Sequence, residues 1–69
     1  MTEPTVENIS EAARSRRKAI YAKGGSVEGV IAKAVRFATR PHHPATTAQE
    51  AVNWAILDLG VYDDGGVRA

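Results

Sequence analysis

The 69-residue chain has no cysteine, so neither a disulfide framework nor a thiolate metal site can supplement its packing. That absence points to an intracellular setting. Aromatic residues are scarce as well: one Trp, two Tyr and one Phe. Twelve alanines favour helix and close helix approach, but each adds little apolar area, so the core should be thin. A chain of this length buries only about 60% of the surface its unfolded form exposes, and a second chain would help. No apolar run approaches the roughly 18 residues needed to cross a bilayer, which argues against a membrane role and for a soluble chain. The first ten residues, "MTEPTVENIS", are acidic and lack the basic start and apolar stretch of a secretory leader. The expected location is therefore cytoplasmic, or virion-associated if the chain is phage-encoded. Arg outnumbers Lys six to three, a usage associated with GC-rich genomes.

What is present is helical periodicity. Thr5 is a suitable N-cap for a first helix over about 6–23, in which Val6, Ile9, Ala13 and Ile20 share one face and Gly24 and Gly25 end the run. Ser26 can cap a second helix over 27–39, with Glu28 in its first turn and Pro41 beyond its end. Its apolar residues, Val27, Val30, Ile31, Ala34, Val35, Phe37 and Ala38, cover nearly half the circumference, which places it centrally. A short strand at "VIAKAVRF" is the competing assignment. "RPHHPATT" reads as a loop whose prolines bias Arg40 and His43 to extended geometry. Thr47 and Glu50 form a capping box for a third helix over about 48–59, with Gly60 as its C-terminal cap. The expected architecture is all-α, a small three-helix bundle with an intertwined helical dimer as the alternative. It divides into an N-terminal tail (1–5), a helical domain (6–60) and a flexible C-terminal tail (61–69).

The charge is segregated. Residues 14–40 hold eight Lys or Arg against one Glu, a local +7, whereas residues 1–13 and 41–69 each carry −3. At about 100° per residue, Lys33, Arg36 and Arg40 project together from the second helix, and Arg14, Arg17, Lys18 and Tyr21 share a neighbouring sector of the first. With Arg16 they define one basic surface suited to nucleic-acid phosphates. The bland alternative is a solvated face that pairs with the acidic ends or with another subunit.

The third helix carries two apolar sides. Ala51, Val52, Ala55, Ile56 and Leu59 form the inward face, so Trp54 and Leu57, with Val61 in line, make a second stripe suited to a protein partner or a second copy. The competing reading folds the tail back over that stripe.

Signatures of chemistry are weak. "LDLGVYDDGGVR" loosely follows a helix-turn-helix pattern, but Asp63, Asp64, Gly65 and Gly66 occupy the positions that should open a recognition helix. His42 and His43 are adjacent loop residues without companions for a metal site, and "GGSVEG" lacks the Lys-Ser or Lys-Thr of a phosphate loop. The expectation is a non-enzymatic protein with no cofactor, no metal and no small-molecule substrate. The first functional reading is a small helical protein that binds DNA or RNA or regulates transcription. Its phosphate contacts are Arg14, Arg16, Arg17, Lys18, Lys33, Arg36 and Arg40, and it forms a homo-oligomer through the third helix. The second is an interaction or assembly module, such as a phage-type host-factor binder or structural accessory, centred on Trp54, Leu57 and Val61.

Overall fold

Each of the three expected helix starts is made by a side-chain cap. Thr5 Oγ1 accepts from the Asn8 N–H at 3.1 Å, Ser26 Oγ from Gly29 N–H at 3.0 Å, and Thr47 Oγ1 from Glu50 N–H at 3.1 Å. The computed structural model describes the backbone of residues 3–68 and the side chains of residues 3–59. In it the chain forms four helices: α1 (Val6–Ser15), α2 (Arg17–Ala22), α3 (Val27–Thr39) and α4 (Ala48–Arg68). No strand occurs among the described residues, and "VIAKAVRF" lies inside α3.

The expected first helix is broken at Arg16. Ser15 Oγ donates to the Ala12 carbonyl at 2.8 Å, the acceptor that the Arg16 N–H would use in a continuous helix. Arg16 N–H turns to the Ala13 carbonyl at 3.1 Å instead, and Arg16 itself adopts φ −107°, ψ 20°. No apolar side chain between Ala13 and Ala19 anchors this stretch to the core, so the bend costs no burial. The helix resumes when Ile20 N–H bonds to the Arg16 carbonyl at 3.0 Å.

The end of α2 shows why two glycines stand there. Gly24 N–H bonds to the Tyr21 carbonyl and Gly25 N–H to the Ile20 carbonyl, both at 3.0 Å, which together form a Schellman cap. Gly24 supplies the left-handed residue at φ 81°. At Gly25 a Cβ would overlap Leu59 Cδ1 and lie 3.2 Å from Leu59 Cδ2 and 3.4 Å from Ile20 Cγ2, so the end of the Leu59 side chain would have to move.

The capping box of α4 is displaced by one residue from its expected form. Glu50 Oε1 accepts from the Thr46 N–H at 2.8 Å and the Thr46 hydroxyl at 3.1 Å, rather than from Thr47 N–H. Two neighbouring threonines offer the carboxylate a choice, and Thr46 supplies two donors. The loop before it is pinned to α3 by Ala45 N–H on the Phe37 carbonyl at 2.9 Å and by Arg40 Nε on the His43 carbonyl at 3.0 Å. Arg40 is extended as expected, but His43 is not: it sits at φ 52°, where the tight return from α3 outweighs the bias imposed by Pro44. At the far end, Gly60 does not stop α4, which continues to Arg68. A glycine ends a helix only where it turns left-handed, and inside one it costs up to about 1 kcal/mol. The expected tail over 61–69 lies outside the described side chains.

These elements pack as three arms, the bent α1–α2 pair, α3 and α4, with α3 against every other helix. Among the described residues the buried core consists of Ile9, Ala13, Ile20, Val30, Ala34, Ala45, Ala48, Ala51, Val52, Ala55 and Ile56, of which more than half are alanine. Leu59 and the remaining α3 apolar residues pack around it half-buried. Val6 departs from expectation at 61% exposed.

Candidate nucleic-acid interface

Four of the seven expected phosphate contacts gather at the α1–α2 break. Arg14 lies at the end of α1, Arg16 occupies the break, and Arg17 and Lys18 open α2; all four are exposed. Together with Ser15 and Ala19 they border one shallow depression of about 380 Å³. Among the described residues, Arg14, Arg17 and Lys18 make no ion pair. Arg16 Nη1 donates to Asn53 Oδ1 of α4, a neutral partner that orients the guanidinium without cancelling its charge. The field of this cluster is therefore open to an anion from outside.

The other three contacts are differently placed. Lys33 Nζ is 2.7 Å from Asp58 Oδ2 on α4, with both side chains about 30% exposed, so its charge is matched within the fold. Arg40 lies over two rings: its guanidinium carbon is 5.1 Å from the centroid of Phe37 and 5.1 Å from that of Trp54. Arg36 is exposed beside a hollow that it shares with Lys33, Phe37 and Asp58. The single basic surface expected from the sequence thus resolves into two groups on different flanks of α3. Arg14 and Arg17 border the flank marked by Glu28 and Ile31, whereas Lys33, Arg36 and Arg40 lie along the flank that meets α4.

The apolar stripe of α4 is also divided. Trp54 is half-buried and meets Phe37 edge to face, with centroids 6.0 Å apart and planes at 86°, under the Arg40 guanidinium. It seals the α3–α4 seam. Leu57 points away from the core at 63% exposed, beside a hollow of about 450 Å³ lined also by Arg16, Ala19, Lys23, Asn53 and Ile56. Val61, the third member of the expected stripe, lies outside the described side chains.

Asp58 and Asn53 are partners that sequence spacing could not have found, since they lie 25 and 37 residues from Lys33 and Arg16. His42 and His43 are exposed, and among the described residues no three His, Cys, Asp or Glu side chains come together. No helix of the described chain is long and apolar enough to cross a membrane. The chain matches no family model, no curated protein and no solved structure.

Proposed function

We propose that this chain is a small nucleic-acid-binding protein of the transcription-regulating type, whose phosphate contacts centre on Arg14, Arg16, Arg17 and Lys18. The observation that carries this reading is the exposed cation cluster around the α1–α2 break, where none of the four makes an ion pair among the described residues. A duplex or single strand brings a line of phosphates to such a surface, and the release of condensed counterions drives association. Arg36 extends the footprint at its edge, while Lys33 and Arg40 chiefly tie α3 to α4. The protein acts by binding, without catalysis, cofactor or small-molecule substrate, in the cytoplasm or, if phage-encoded, in the virion.

The test compares two charge-removal variants by fluorescence anisotropy on a labelled oligonucleotide at low salt. Replacing Arg14, Arg17 and Lys18 together by Ala should weaken binding at least tenfold, whereas Arg36→Ala should change it by less than threefold. Equal effects would move the footprint to α3, and no binding by the unaltered protein would remove the reading.

A second reading rests on Leu57. Its outward position, next to an apolar hollow flanked by Arg16 and Lys23, suits assembly with another chain. Leu57→Asp should change stability by less than about 0.5 kcal/mol, as for an outward surface site. A fall in solution mass on that substitution would favour assembly; an unchanged mass would dismiss self-association.

A further inference from the structure

The groove between the α1–α2 arm and α3 combines features that a purely phosphate-binding surface does not need. Arg17 and Tyr21, four apart on α2, share one face, and the bend at Arg16 leaves Arg14 of α1 lining the same groove. Opposite them, Val27 and Ile31 of α3 provide half-buried apolar walls, and the groove so enclosed has a volume of about 560 Å³. That size is within the range of pockets that hold small organic ligands. Tyr21 is 59% exposed, an unusual position for one of only four aromatic residues in a chain so short of core material. The fold uses Trp54 and Phe37 to close a helix seam but leaves the Tyr21 ring in solvent beside two guanidinium groups.

We propose that this groove binds single-stranded nucleic acid, with an unstacked base on the Tyr21 ring and the adjoining phosphates on Arg14 and Arg17. The inference rests on the phosphate-binding reading above and specifies its substrate class. Aromatic faces stack on bases only when these are free of a duplex, and such stacking tolerates any sequence because every base has a π-face. A duplex would offer Tyr21 only backbone. Glu28 gives the groove its polarity: it lies in the first turn of α3 and Tyr21 in the last turn of α2, on either side of the glycine turn, so its carboxylate repels phosphate at that end. The phosphates are therefore held at the Arg14–Arg17 end, and the base occupies the other. A carboxylate there also accepts hydrogen bonds from exocyclic amino groups.

The experiment uses the full chain and three fluorescein-labelled probes at low salt: a 16-nucleotide DNA single strand of mixed sequence, the same strand annealed to its complement, and an abasic strand of equal length and charge. The expected result is tighter binding of the single strand than of the other two. Tyr21→Ala should weaken single-strand binding by about 5- to 150-fold, the range of one base–aromatic stack, and leave the duplex and abasic affinities unchanged. Tyr21→Phe should restore the loss to within about twofold, because the ring is kept. Equal affinity for all three probes, or a Tyr21→Ala protein that still prefers the single strand, would overturn the proposal while leaving phosphate binding intact. No binding to any probe would overturn both. The abasic comparison needs no substitution, so it decides the matter even if Tyr21→Ala fails to fold.

Discussion

Trp54→Ala offers a sharp division between two roles for the chain's only tryptophan. In the structure the ring is half-buried on the α3–α4 seam, edge to face with Phe37 and under the Arg40 guanidinium. Removing it forfeits an aromatic pair worth about 0.5–1.5 kcal/mol and a partly exposed cation–π contact worth about 0.5–1 kcal/mol. Half the burial of an aromatic ring of this size adds about 2–3 kcal/mol at 25 cal/mol per Å². These terms overlap, so the expected loss is about 3–4 kcal/mol, within the usual range for a buried Trp. A chain of this length has a total stability on the order of 3–10 kcal/mol, so the variant should be destabilised severely or unfolded. Urea titration followed by far-ultraviolet circular dichroism measures this without relying on the lost fluorophore. Because an unfolded variant would give no midpoint, Trp54→Phe serves as the graded companion, with an expected loss of about 1–2 kcal/mol. Unchanged midpoints in both variants, accompanied by a change in solution mass, would refute the packing role and make Trp54 an intermolecular contact.

The two glycines at the end of α2 should respond differently. Gly24→Ala forces a Cβ into a left-handed residue and should cost about 1–2 kcal/mol, seen as a lower urea midpoint. Gly25→Ala requires only the end of the flexible Leu59 side chain to move and should cost less, below about 1 kcal/mol, and still less in a Leu59→Ala background. At the start of α4, Thr47→Ala removes the cap on Glu50 N–H and should cost about 1 kcal/mol. Thr46→Val should lower stability less than Glu50→Ala does, since it deletes only one of the two bonds that the carboxylate accepts.

What could be read in advance follows from the range of each interaction. The caps at Thr5, Ser26 and Thr47 depend on a donor three residues away, so residue type and spacing were enough to locate them. The double glycine marked the end of α2 for the same local reason. The break at Arg16 was hidden because Ala13 and Ile20 keep helical spacing across it, while the Ser15 hydroxyl competes for the carbonyl that Arg16 N–H would use. The buried residues of α4 followed from its apolar face, but the placement of Trp54 depended on how α3 and α4 cross, which periodicity within one helix does not contain. The same holds for the basic residues. Angular position placed each cation on the outside of its helix, yet the Asp58 partner of Lys33 and the Trp54 ring under Arg40 are brought across from α4. The cluster at residues 14–18 was legible because it is contiguous in sequence.

The most direct test of the central claim is the salt dependence of the affinity for a DNA single strand. Four phosphate contacts at about 0.7 counterions each give a slope of log Kobs against log[salt] of about −2 to −3. Arg17→Ala should reduce its magnitude by about 0.7. An affinity that does not vary with salt, or a slope unaltered by Arg17→Ala, would contradict the assignment of the α1–α2 break as the phosphate-binding surface.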